Sequence, residues 1–161
     1  MGYTHYWSFK AIPKGKIGAV EKLYQQAIRD INRACLAYQK QFESGDFRRL
    51  SGYSAYTNKY GGVKINGSRE YSHEDFVLRE HYNQNRESCY FGFCKTAEKP
   101  YDVVITAALS ILKYRLGDLV DVSSDGRPMQ WNAGVLLASS VLKRKIKNPI
   151  MVRIRRDLVC A

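Results

Sequence analysis

No stretch of the chain approaches the roughly 18 consecutive apolar residues that a membrane-spanning helix requires. The opening Met1–Trp7 has neither the basic region nor the apolar region of a secretory signal, so a soluble protein kept in a cytosol is expected. Cysteine is sparse. Cys35, Cys89, Cys94 and Cys160 are spaced too widely for a zinc knuckle or a CxxC redox pair. Without a signal segment a disulfide framework is not expected either. His5, His73 and His81 show no HxxxH or HxH spacing, so no metal site and no cofactor is expected. There is no GxxxxGKS/T loop, no HExxH, no GxSxG and no HxT or HxS pair, which argues against the enzymes built on those motifs.

Acidic residues are also few. Fifteen Asp and Glu face 26 Lys and Arg, a formal charge of +11 on 161 residues. Such a field concentrates anions and favours a polyanionic partner: nucleotide, nucleic acid or an acidic protein surface. The excess gathers near the end, where Arg127, Lys143, Arg144, Lys145, Lys147, Arg153, Arg155 and Arg156 stand against Asp157 alone. Lys143, Arg144, Lys145, Lys147, Arg153, Arg155 and Arg156 are the candidates for polyanion contact. A plain solvated face accounts for the same charges.

What is present fits one globular domain, 1–161, with 45 % apolar and 25 % charged residues. Residues 3–9 alternate as a strand, with Tyr3, His5, Trp7 and Phe9 on one side and Thr4, Tyr6 and Ser8 on the other. Apolar residues from Ile17 to Phe42 recur at helical spacing, closing near Gly45. Residues 44–62 lose all periodicity and read as a long loop. Its tyrosines and basic residues suit either base stacking or an ordinary surface, and no RNA-binding signature accompanies them.

Short strands are expected at 62–68, ending in an Asn-Gly turn, and at 73–78. Cys89–Cys94 is the most strand-like run, apolar on both faces and therefore expected at the centre of its sheet. A helix over 99–116, a strand over 119–123, a helix over 129–145 and a closing edge strand from Ile150 to Ile154 complete the reading. The fold expected is α+β: a mixed sheet of about five or six strands, three helices mainly on one face, and one strand–helix–strand unit over 89–123.

If the strands of that unit are parallel, both end on one edge of the sheet, where ligands of open α/β sheets collect. That edge would carry Lys95, Thr96, Tyr101, Ser123, Ser124 and Asp125, with helix N-termini aimed at it, and suits a phosphate or another oxyanion. Singly, each residue has a structural role that explains it: a cap, a turn or a solvated charge. A catalytic set would be assembled from distant segments, with His5, His73 and Asp125 as candidates and Lys95 and Asp102 beside them.

Three blocks carry a resemblance. Gly2-Tyr-Thr-His-Tyr-Trp7, then Phe93-Cys-Lys-Thr-Ala97 with Lys99-Pro-Tyr-Asp102, then Leu116-Gly-Asp118 leading into Val122-Ser-Ser-Asp-Gly126 and Trp131, resemble a family of small bacteriophage and prophage proteins without an assigned activity. The resemblance covers the first strand and residues 89–131; it does not extend to the basic tail. It implies an accessory protein acting in the host cytosol and implies no reaction. Three functions stay open: binding a nucleotide or nucleic acid, cleaving its phosphoester, or inhibiting a host protein by surface contact.

Overall fold

The computed structural model describes residues 3–41, 49–51, 62–82 and 90–151. Strand β1 (Thr4–Phe9) forms where the sequence alternates, and it is the middle of a three-stranded sheet. On one side lies β5 (Tyr90–Lys95) and on the other β6 (Val120–Ser124). Both run antiparallel to β1, so they are parallel to each other with β1 between them. Helix α2 (Asp102–Leu116) carries the chain across from β5 to β6. Both strands therefore end on the same rim, beside the start of β1.

The alternation of β1 decides what faces inward. Trp7 and Phe9 are buried, with Phe9 edge-on to Tyr24 and Trp7 against Phe76. Gly92 stands opposite Trp7 and has to be glycine: a Cβ there would lie 2.4 Å from the indole. The apolar stripe of α1 (Ile17–Lys40), with Val20, Tyr24, Ala27, Ile31, Ala34 and Tyr38, is buried as its spacing implies. Asp30 breaks that stripe and is neutralised by Arg33 and by Arg115 of α2 at 2.7 Å. Helix α2 is apolar almost all round because α1 and α3 (Asn132–Leu142) cover it. Gly134 lets α3 approach closely, since a Cβ there would strike the Thr106 hydroxyl.

Several expectations need correction. The strands do not form one mixed sheet of five or six. The remaining strands β2 (Leu50–Ser51), β3 (Val63–Gly67) and β4 (Phe76–Leu78) make a second antiparallel sheet in the order β2-β3-β4. The two sheets meet at Glu74 and Lys95. There the Lys95 N–H donates to the Glu74 side chain at 2.7 Å instead of to a backbone carbonyl, and the ladder does not continue. Strand β5, expected in the centre, is at an edge of its sheet; β1 holds the centre.

Asn66-Gly67 ends β3 and leads into a 3-10 turn, Arg69–Tyr71, instead of a two-residue hairpin. The last helix is shorter than its pattern: a 3-10 turn over Pro128–Trp131 precedes α3, and Lys143, at φ 53°, stops it. Ile150 and Met151 lie in a helical turn, so the expected edge strand does not begin there. Most of the 44–62 loop and the basic residues Arg153, Arg155 and Arg156 lie outside the described residues. Among the described residues no helix is long and apolar enough to cross a membrane.

Candidate functional site

At the rim where β5 and β6 end, β1 delivers His5 into the interior. The ring is fully buried, edge-on to Tyr3 and Trp131 at centroid distances of 5.0 and 5.1 Å. Its Nε2 is 2.6 Å from Asp102 Oδ1, and its Nδ1 is 2.8 Å from Ser124 Oγ. Thr96, also fully buried, donates its hydroxyl to the same Asp102 oxygen at 2.6 Å. The Gly126 N–H donates to Ser124 Oγ at 2.9 Å.

With the ring neutral, these contacts select its tautomer. A carboxylate oxygen only accepts, so Nε2 must carry its hydrogen toward Asp102. In the neutral ring Nδ1 is then a lone pair, and only the Ser124 hydroxyl can fill it by donating. Ser124 Oγ also accepts from the Gly126 N–H with one of its two lone pairs. The chain is closed: carboxylate, imidazole, hydroxyl, each oriented by the next. Asp102 is the first residue of α2, where the helix dipole favours a negative charge.

The rim differs from a simple anion cradle. The Thr96 and Ala97 N–H groups both donate to the Tyr3 carbonyl, and the Asp125 N–H donates to the Thr4 carbonyl. With Gly126 turned to Ser124 and a carboxylate at the start of α2, a phosphate at this rim meets side chains and not free backbone donors. Tyr3 is buried, and burial, with the Asp102 and Glu98 charges nearby, pushes its pKa well up. It remains a neutral phenol. Trp131 is fully buried with its ring N–H unpartnered among the described residues.

The structure brings His5, Thr96 and Ser124 of the sequence candidates into this cluster, together with Asp102. It does not bring His73, which is exposed and bonds the Lys95 carbonyl through Nδ1 at 2.8 Å. Tyr101 is fully buried and donates its hydroxyl to the Glu74 carbonyl at 2.7 Å, a packing role. Asp125 is exposed and accepts from the Tyr6 hydroxyl at 3.4 Å. Lys143, Arg144, Lys145 and Lys147 are exposed beyond α3, flanking the buried Ile146. Arg144 lies 6.0 Å from the Tyr114 ring.

The other face of the same sheet is the feature the sequence reading missed. Pointing away from the core are Tyr6 on β1, Phe91, Phe93 and Lys95 on β5, and Ser123 on β6. Phe91 and Phe93 are 58 % and 57 % exposed, far above what a core strand allows. Tyr6 stacks on Phe91 with centroids 6.2 Å apart, and Phe93 follows Phe91 at 6.3 Å. An apolar run on both faces suggested burial. The order Phe91-Gly92-Phe93 is the signal that distinguishes it: glycine admits Trp7 from within while both phenylalanines point out.

A concavity between α1 and α2 is lined by Gln26, Arg29, Asp30, Asn32, Arg33 and Arg115, and Asp30 already occupies two of its arginines. Among the described residues no group of three or more His, Cys, Asp or Glu side chains is arranged to hold a metal ion. No protein-family model, no curated protein and no solved structure matches the chain.

Proposed function

We propose that the protein binds a phosphate-bearing ligand, and that this ligand is a single-stranded nucleic acid laid across the outer face of the β5-β1-β6 sheet. The observation that carries the reading is the pair of exposed rings Phe91 and Phe93, beside the half-buried Tyr6 and with the half-buried Lys95 at the end of the row. Two rings this exposed have no reason of stability to be aromatic; in water they lose the benefit that burial gives them. A base laid on such a ring recovers it, and stacking is tolerant of sequence because every base has a π-face. Sheets that read single-stranded RNA place outward aromatics on two neighbouring strands, with an aromatic–Gly–aromatic order on one of them. Here β1 and β5 are the neighbours.

The +11 charge supplies the long-range attraction to phosphates. Of the two nearby carboxylates, Asp121 is offset by Lys10 at 3.6 Å, and Asp125, which accepts from the neutral Tyr6 hydroxyl, keeps its charge at the rim. A duplex would hide its base faces from the rings, so strandedness separates stacking from mere charge attraction. The resemblance to small phage proteins fits a role in the host cytosol, where sequestering or redirecting a nucleic acid would serve an infecting phage.

Anisotropy titration of labelled single-stranded and duplex oligonucleotides of one length tests this. The single strand binds at least about tenfold more tightly, and its affinity falls as salt rises. Equal affinity for the duplex would reduce the interaction to charge and remove the stacking face.

A further inference from the structure

The buried Ser124–His5–Asp102 chain has no use in a passive binding face. It is also an uneconomical way to fill a core position, because all its members must be ordered together. We infer that Ser124 is a nucleophile activated by His5, and that the rim is a hydrolytic centre for a phosphodiester. The geometry meets both requirements of an activated hydroxyl: a base within hydrogen-bond reach of the nucleophile, and a third group orienting the base. The ring is used in the reverse sense from the common serine hydrolases, with the hydroxyl on Nδ1 and the carboxylate on Nε2. The imidazole joins the two nitrogens electronically, so the proton arithmetic is the same.

Each neighbour has a part in this. The Asp102 carboxylate stabilises the imidazolium that forms when His5 takes the Ser124 proton. Thr96 holds that carboxylate in place, and Tyr3 and Trp131 hold the ring edge-on and dry. The Gly126 N–H, donating to Oγ, stabilises charge as it develops on the nucleophile. Ser124 and Asp102 are each partly covered, whereas His5 between them is fully buried, so a substrate meets the ends of the chain and not the ring.

The reaction balances without a metal or redox partner. Ser124 Oγ attacks phosphorus and its proton passes to His5 Nδ1. The phosphorus–alkoxide bond breaks on the side opposite Oγ, and the leaving alkoxide takes its proton from water. The hydroxide so formed takes up the proton that His5 holds. Water then attacks the phosphoserine, giving a proton to Nδ1 that restores the Ser124 hydroxyl. The net change is hydrolysis to a phosphomonoester and an alcohol. The choice of a phosphodiester rests on the nucleic-acid reading above; the activation of Ser124 does not. Ser123 faces the aromatic side and Ser124 the interior, neighbours in sequence at the same rim.

The test uses a fluorophosphonate, which forms an Oγ–phosphorus bond as fluoride leaves with the Ser124 proton. Mass spectrometry of the full chain shows one adduct, and peptide mapping places it on Ser124. Ser124→Ala takes none. Asp102→Asn, checked for folding by circular dichroism, lowers the maximal labelling rate at least about a hundredfold while the half-saturating probe concentration stays the same. That split separates a residue that positions His5 from one that merely holds the rim together. An adduct elsewhere, or equal labelling of Ser124→Ala, overturns the nucleophile. Labelling of Ser124 with no cleavage of a bound single-stranded oligonucleotide keeps the nucleophile and overturns the phosphodiester.

Discussion

The two faces of one sheet are built from the same three strands and differ in every physical respect. On the inner face β1 presents His5, Trp7 and Phe9, all less than 3 % exposed, and β5 answers with Gly92 and Cys94. On the outer face the same strands present Tyr6, Phe91, Phe93 and Lys95 to solvent. Inside, volume is matched so closely that Gly92 cannot carry a methyl group, and His5, Thr96, Asp102 and Ser124 are tied into one hydrogen-bonded chain. Outside, the rings of Tyr6, Phe91 and Phe93 lie against one another, and the Phe91 and Phe93 rings stay more than half exposed.

The largest expected effect contrasts two aromatic truncations one position apart in register. Trp7→Ala should cost about 3–5 kcal/mol, since it empties the space between Gly92 and Phe76. Phe93→Ala should change stability by less than about 0.5 kcal/mol, as surface changes do. Denaturant unfolding measures both. A Phe93→Ala protein as damaged as Trp7→Ala would mean that the outer rings are structural and that the contrast is false.

The thiols sharpen the same contrast with a smaller effect. Burial pushes the Cys35 and Cys94 thiols up to about 12, so both stay protonated and unreactive at neutral pH. Iodoacetamide applied to the native protein should leave Cys35 and Cys94 unmodified and alkylate both after denaturation, as read by peptide mapping. Rapid alkylation of Cys94 in the native state would show that the inner face opens.

The smallest effect is far from the sheet. His81 Nδ1 lies 2.9 Å from Glu21, and that hydrogen bond holds the histidine above its ordinary value. Partial burial opposes ionisation of Glu21, yet the hydrogen bonds from His81, Gln25 and the Tyr82 N–H outweigh it and lower its pKa. The Glu21 contribution is present above its ordinary 4.5 and is lost as pH falls through the depressed value. The His81 contribution is present below its ordinary 6.5 and is lost as pH rises through the raised value. Between those limits wild type should be slightly more stable than His81→Gln. The difference should shrink at pH 9 and with salt, because the pair is exposed. Unfolding midpoints at pH 5.5 and 9 check it.

These contrasts also explain what could be read from the chain beforehand. The alternation of Tyr3–Phe9 assigned each side chain of β1 to its face, because period two in a strand is a local property. The stripe from Val20 to Tyr38 did the same for α1. The shared rim of β5 and β6 was legible from the length of the connection, and it brought Thr96 and Ser124 together with His5. What failed was non-local. Whether an apolar strand is central or at an edge depends on what pairs beyond it, and β5 carries no mark of that except Gly92. The division into two sheets turns on one Glu74 side chain taking the place of a carbonyl. Asp102 stood among distant candidates, but its partnership with His5 spans 97 positions and no spacing announces it.

The most direct measurement is the affinity of Phe91→Ala/Phe93→Ala for a labelled single-stranded oligonucleotide, beside wild type at one salt concentration. Base–aromatic stacking is worth about 1–3 kcal/mol per base, so affinity should drop by about thirtyfold or more while the unfolding midpoint stays put. Unchanged affinity with intact folding would contradict the assignment of the outer sheet face as the binding surface.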